Sequence, residues 1–582
     1  MRLSRSILAR LGAPAAFVLS AASCGEAPVE AGNRLQLQFS PLYLSGFGVS
    51  HFDVTLYSGP WTTGRPPVLF EAKCAGYATD APSIGPLGTG SGLTLEVAFY
   101  ADAACTQPVL RGGRGGIDVV DGSPSGTYFV PVFPTGGFRA FPQFDPALRD
   151  AAAAVTCSAD SDCRIANPDG SYQLSAVAYC DAGSCALPET AYPLDMVSPR
   201  AFHTATALPD GRIAFVGGVA RQFPDSPGAL LGTDETVEVF SPGSMTFEAV
   251  DVQGLQGQRM AMHDAVLAKD GSIAVFGGAT QLDLSFNAGG ATAGLVISIP
   301  EKNLTSTENV LQLASRIDLA TERAEVGALP KPLVGARAVT MGDGKVLLTG
   351  GHTLADGNLE TTATALECTV SAGAPPACDS LGALKHPRAS HCAFCEDAGC
   401  DSVVLLGGAA TEGGTASDVI AELYDGDSFT SVALGSGDLQ SNLFHPTCAG
   451  GVVAGGTPEL GAPPAAPPLV LSVSDVVSGV AASGLDAIDS PFRAYSAAVA
   501  LADGSVLVTG GLDETGKAQN TAYRIENGEI VDAYTMAAAR FGHTATLITA
   551  GPLTGAVIVA GGLSTTDAGG FETATGAELF LP

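Results

Sequence analysis

RAFHTATALPDGRIAFVGG, residues 200–218, is the phrase on which the C-terminal two-thirds of this chain is built. It returns as RMAMHDAVLAKDGSIAVFGG ending at Gly278, as ARAVTMGDGKVLLTGG ending at Gly351 and as RAYSAAVALADGSVLVTGG ending at Gly511. Copies with longer loops end at Gly408 and Gly562, and a shorter one ends at Gly456, which makes seven. Within a copy, an alternating run such as HTATAL meets Asp-Gly and then a β-branched run that stops at Gly-Gly. That pattern predicts a hairpin, with Asp-Gly supplying the positive φ of a two-residue turn. The paired glycines are Gly217/Gly218, Gly277/Gly278, Gly350/Gly351, Gly407/Gly408, Gly455/Gly456, Gly510/Gly511 and Gly561/Gly562. They are expected to let the chain leave the sheet where a side chain would collide.

After each Gly-Gly a polar loop of variable length leads to a third strand: TVEVFSP at 236–242, ENVLQL at 308–313, ATALEC at 363–368, VIAELYD at 419–425, TAYRIE at 521–526 and TGAELFL at 575–581. A weaker fourth often follows, as in MTFEAV at 245–250 and SFTSVAL at 428–434. Four antiparallel strands per unit, repeated, are the signature of a β-propeller. From Pro199 to Pro582 the copies average about 55 residues, near the ~50 of a kelch blade. The Gly-Gly, the Asp-Gly and an Arg-x-x-His, which is Arg200 and His203 in the first copy, resemble the kelch repeat. Seven such units resemble the central propeller of the galactose-oxidase class, over about two-thirds of the chain. One departure stands out. Kelch blades usually carry a Trp in the fourth strand, and the single Trp here is Trp61, outside the repeats. The expected fold is therefore all-β, with a seven-bladed kelch-type propeller over 190–582.

Closure of the ring is also readable. PLDM at 193–196 precedes Arg200 as AYTM at 533–536 precedes Arg540, each Met four residues ahead of its Arg. The last blade is thus expected to borrow its fourth strand from residues near 190–196, which would leave no open sheet edge.

At the N-terminus MRLSR is a short basic stretch, and residues 11–22 are apolar but too short to span a membrane. Residues 1–23 read as a signal peptide for the Sec pathway. Ala21-Ala22-Ser23-Cys24 resembles a bacterial lipobox, although Leu is commoner where Ala21 stands. The resemblance implies lipid attachment at Cys24, a tether over 24–33, and, with Gly25 next, an outer-membrane or cell-surface address; plain secretion is the alternative. The only membrane partner expected is the one reached through that lipid.

The chain has 13 Cys, so setting Cys24 aside leaves an even number, which suits an oxidising compartment. Cys74 and Cys105 stand alone in the first domain, while Cys157, Cys163, Cys180 and Cys185 crowd a linker at 151–189 that resembles small disulfide knots of bacterial surface proteins. Cys368 and Cys378 flank a Pro-rich loop, Cys395 and Cys400 bracket a hairpin turn, and Cys392 and Cys448 fall in the first strands of neighbouring blades. A zinc site at Cys392, Cys395 and Cys400 is the competing reading of HCAFCEDAGC, and the secretory context favours disulfides. Between tether and linker, residues 34–150 alternate in period two between Gly, Pro and Asp turns, which predicts a β-sandwich. FDPALRDAAAAV at 144–155 is the best helix candidate.

The formal charge of −31 and the absence of a basic run exclude nucleic acid as a partner. His203, His263, His391, His445 and His543 recur at what reads as one site of the first strand, lining the channel. A metal site there is conceivable, but residues repeated at one position more often do one local job in every blade, such as a hydrogen bond between neighbouring strands. No G-x-S-x-G, HExxH or Walker loop occurs, and no pair of Tyr residues stands as a galactose-oxidase-like copper site would need. The expectation is a monomeric, non-catalytic surface lipoprotein without cofactor or metal, whose propeller binds a protein or glycan. The alternative is a secreted propeller enzyme, either a copper oxidase or a carbohydrate-active hydrolase.

Overall fold

The computed structural model describes most of residues 33–140 and 195–582, with short pieces near 156–158 and 179–186. Residues 1–32, 141–155, 159–178, 187–194, 409–419, 434–444 and 471–492 and several shorter loops lie outside the described residues, and with them Cys24, Trp61, Cys157, Cys163 and the 144–155 helix candidate. Every regular element among the described residues is a β-strand.

The repeats form successive antiparallel sheets. In the first, Thr204–Ala207, Ile213–Val216, Val237–Ser241 and Thr246–Ala249 lie side by side in chain order. The second, third, fourth and sixth repeats follow the same order, and the fifth contributes three strands among the described residues. In the second repeat the third strand is Leu313–Asp318, five residues later than expected, because ENVLQL at 308–313 is used mainly in the approach to it. The hairpin loop is also longer than the two-residue turn expected. Leu208 N donates to Arg212 O at 2.8 Å, so the loop proper is Pro209 to Gly211, with Gly211 at φ +84° closing it as the left-handed residue of a three-residue loop.

The second strands explain why the repeats stack. Ile213–Val216, Ile273–Phe276, Val346–Thr349, Val403–Leu406, Val506–Thr509 and Val557–Ala560 are buried at every residue. A continuous apolar run of this kind needs cover on both faces of its sheet. Ile213 and Phe215 pack against Ile558 and Leu579 of the seventh repeat, while Ala214 and Val216 pack against Ile273 and Val275 of the second. The first strands touch in the same succession, from Thr204–Ala207 through each repeat to Thr544–Leu547, which touches Thr204–Ala207 again.

Outside this circuit, Asn33–Gln38 pairs with Ser83–Leu87 and Thr127–Phe129, and His51–Tyr57 lies in a five-stranded sheet with Val68–Gly76, Gly90–Tyr100, Leu110–Val119 and Val132–Pro134. The two sheets share one core, in which Leu35 and Leu37 meet Phe52, Leu95 and Phe99. The strand that follows, Gly137–Ala140, leaves this unit. It pairs with Glu578–Leu581 as the fourth strand of the seventh repeat, where the sequence pointed to residues near 190–196. Of that segment residues 190–194 lie outside the described residues, and Asp195 makes a single bridge to Gly576. Gly137–Ala140 and Asp195 thus both pair along the outer edge of the seventh sheet. Phe138 fits because its ring lies 5.1 Å from that of Phe580, in a buried cluster with Met536.

The stretches after Gly-Gly, expected as polar loops, form further strands in the first, second, third and seventh repeats, with Leu563–Thr565 pairing with Phe571–Thr573 in the seventh. Val219–Phe223, Ser226–Gly232, Gln281–Gly289 and Thr292–Ser298 make a four-stranded sheet of their own, and His352–Ala355 pairs with Asn358–Thr361. Their apolar residues, among them Leu282, Leu284 and Leu295, meet Phe541 and Phe571 over one end of the circuit of first strands.

Candidate functional site: the cavity ringed by the first strands

Among the described residues, six junctions between repeats are built from the Gly-Gly of one and the Arg-x-x-His region of the next. Gly218 N donates to Met260 O, Gly278 N to Leu333 O, Gly351 N to Arg388 O, Gly456 N to Arg493 O and Gly511 N to Arg540 O, all within 2.6–2.8 Å. The sixth such bond runs from Gly562 N to Arg200 O, from the last repeat to the first. Gly217, at φ +62°, has no room for a Cβ, because the atom would sit 2.7 Å from Cε1 of His263. The glycines are thus needed for this close approach rather than for leaving the sheet.

The histidines complete the same junctions. His263 Nε2 meets Thr204 Oγ1 at 3.0 Å, His203 Nε2 meets Thr544 Oγ1 at 3.0 Å, His391 Nε2 meets Thr349 Oγ1 at 2.9 Å and His543 Nε2 meets Thr509 Oγ1 at 2.7 Å. Burial pushes all four rings well below the usual imidazole range, His263 to about 3, and nearby arginines push the same way. His445 does not belong with them. Thr447, not Pro446's neighbour on the other side, is the residue aligned with Thr204 in the strand ladders, so His445 falls one place earlier, level with Phe202. Among the described residues no group of three His, Cys, Asp or Glu is arranged to hold a metal ion.

Four cysteine pairs lie at disulfide distance: Cys74–Cys105, Cys368–Cys378, Cys392–Cys448 and Cys395–Cys400, with Cα–Cα separations of 5.7, 4.0, 5.9 and 4.8 Å. The cysteines weighed as zinc ligands are therefore divided between two pairs. Cys180 stands opposite Cys185 in a short hairpin.

A set of carboxylates escaped the sequence reading. Glu238, Glu422 and Glu578 occupy one position of the third strand and pair, buried, with Arg200, Arg388 and Arg540. Each also accepts two main-chain amides of the segment leading into its own repeat: Val197 and Ser198, Lys385 and His386, Ala537 and Ala538. Where the Arg is replaced, as by Met260 and Leu333, the acid is replaced too, by Ser315 and Leu366. That joint loss was visible in the sequence as the shared Glu of TVEVF, IAELY and GAELF.

Just before each first strand one residue sits at positive φ: Phe202, Met262, Gly335, Ser390, His445, Tyr495 and Gly542, between 49° and 68°. Their main chains are linked in turn, Gly542 N to Tyr495 O, Phe202 N to Gly542 O, Met262 N to Phe202 O, Gly335 N to Met262 O and Ser390 N to Gly335 O. The conformation turns the side chains of Phe202, Met262, Ser390, His445 and Tyr495 toward a cavity of about 180 Å³ that residues of all seven repeats line. No family model and no curated protein matches this chain. The cavity thus has to be read from its own chemistry. On one side it is roofed by aromatic rings: Tyr495 stacks on His445 at 4.6 Å and meets Phe202 and Phe541 edge-on. Its charged groups are Asp264 and Arg337, at the first positions of adjacent first strands. Asp264 accepts from Ala265 N and, at 2.7 Å, from Ala338 N, and burial pushes its carboxyl up against the opposing pull of Arg337. Arg337 donates from Nε to His391 O at 2.8 Å.

Proposed function

We propose that this chain is a secreted, lipid-anchored binding protein, a seven-bladed kelch-type β-propeller carried on a β-sandwich and tethered through Cys24. What supports the propeller is the junction between Gly-Gly and Arg-x-x-His, met again at Gly562 and Arg200 after a full circuit of repeats. The non-catalytic reading rests on a single observation: the four histidines aligned on the first strands are each committed to a threonine of the neighbouring repeat and held neutral by burial. Such rings are mortar between blades. The sheet of Gln281–Gly289 and its neighbours, standing over one end of the ring on a buried apolar base, is the platform that would meet a protein or glycan partner.

Two measurements test this. Cys24→Ala should move the protein from the membrane fraction to the soluble one, and unchanged fractionation rejects the anchor. Purified protein, with and without added copper, should turn over neither primary alcohols of sugars nor chromogenic glycosides; turnover lost on substituting a cavity residue rejects the non-catalytic reading.

A further inference from the structure

We infer that the cavity ringed by the first strands is a binding site for a small organic carboxylate, gripped by Arg337. The inference is separate from the partner reading, which concerns the outer platform.

The donors are what single the cavity out. Arg337 uses only Nε on the protein, and its two terminal nitrogens have no hydrogen-bond partner among the described residues. The hydroxyls of Ser390, Thr447 and Ser496, which line the same space, likewise make no hydrogen bond to a described residue. A guanidinium with its fork uncommitted is matched in shape to a carboxylate, which takes two parallel hydrogen bonds from it. The obvious internal partner, Asp264, already accepts two main-chain amides and forms no ion pair with Arg337. Histidines nearby add no competing charge, since burial keeps His445 and His391 neutral.

Size and polarity narrow the ligand. A volume of about 180 Å³ lies below the range of drug-sized pockets, so the site suits a smaller molecule. Phe202, Met262 and Tyr495 add an apolar lining to the same space, which a bare inorganic anion would leave against water but an alkyl or aryl group would cover. The ligand enters from the Asp-Gly end, because the roof closes the other side and because Asp264–Leu267, Arg337–Thr340 and Thr544–Leu547 are half-buried at every residue, leaving solvent along the inner face.

Isothermal titration of the full chain with benzoate and hexanoate, with phosphate and chloride as inorganic probes, decides it. One carboxylate per chain should bind saturably, and Arg337→Met should weaken it at least thirtyfold while the melting transition stays cooperative. If that variant does not fold, Ser390→Ala combined with Thr447→Val leaves Arg337 in place and should weaken binding at least fivefold. The inference fails if neither carboxylate binds, if phosphate or chloride binds as tightly, or if the variant that folds binds as the natural chain does.

Discussion

The main-chain carbonyl of Arg200, in the first repeat, accepts a 2.8 Å hydrogen bond from the amide of Gly562, in the last. It is the same bond that joins Gly218 to Met260 and Gly511 to Arg540, so the ends of the repeated region are joined by the contact that joins five other pairs of neighbours. The side chains agree, since His203 reaches Thr544 as His263 reaches Thr204.

Gly561 should be the most sensitive test of that joint. It sits at φ +67°, and a Cβ there would lie 2.6 Å from Cε1 of His203. Gly561→Ala should cost roughly 2–5 kcal/mol, from left-handed strain plus overpacking. Gly373→Ala, at φ +75° with open space around it, should cost only about 1–2 kcal/mol. Equal losses in urea denaturation would show that the joint is not under steric control.

The strand Gly137–Ala140 makes the N-terminal part indispensable to the repeats. A chain that begins at residue 141 loses the outer strand of the seventh sheet and should melt well below one that begins at residue 33. Phe138→Ala in the full chain should cost about 3–5 kcal/mol, as expected for a buried Phe. An unchanged transition in both would mean that Glu578–Leu581 finds its partner elsewhere.

Arg540 and Glu578 should be strongly coupled. Arg540→Met leaves a buried carboxylate without its cation and should cost about 3–5 kcal/mol. Adding Glu578→Leu imitates the third repeat, where Leu333 and Leu366 hold these positions, and the double variant should be more stable than the single one. A double-mutant cycle showing simple additivity would remove the buried pair from the account.

Acid should open the ring through its histidines. Their folded values are depressed, His263 and His445 to about 3 and His352 to about 4, chiefly by burial, against 6.5 in the unfolded chain. Below about pH 6.5 the unfolded chain takes up protons that the folded chain refuses, so stability falls as pH drops toward those values, by about 1.4 kcal/mol per pH unit for each ring. His263→Ala, which copies Ala336 of the third repeat, should lower the slope between pH 6 and 4 by one proton. A slope that does not change would assign the acid sensitivity to other groups.

Disulfide mapping of a non-reduced digest should recover Cys74–Cys105, Cys368–Cys378, Cys392–Cys448 and Cys395–Cys400. Free thiols at Cys392, Cys395 and Cys400 with bound zinc would reverse the reading of that segment.

The first two strands of each repeat were legible in the chain. Alternation before Asp-Gly and a β-branched run after it specify two strands and their loop, because these are local demands of backbone conformation and burial on a single segment. The cysteine pairs in the repeats followed from the same register, since residues that bracket a turn or face each other across strands are set by short-range geometry. The Glu shared by the first, fourth and seventh repeats, each with its Arg, was also printed in the sequence and needed only the repeats to be aligned, whereas the sixth keeps Arg493 with Tyr523 in place of the acid. Three things were decided by tertiary structure alone. Gly-Gly looks like punctuation until the next repeat's histidine is seen against it, because the reason for the glycine is an atom some 45 residues away. For the last outer strand the sequence pointed to residues near 190–196, whereas Gly137–Ala140 pairs there, with Phe138 in a buried contact with Phe580 that no local pattern encodes. The uncommitted fork of Arg337 is the clearest case: a charged residue at the head of a strand reads as solvent-facing, and only the closing of seven strands around it turns that exposure into a cavity.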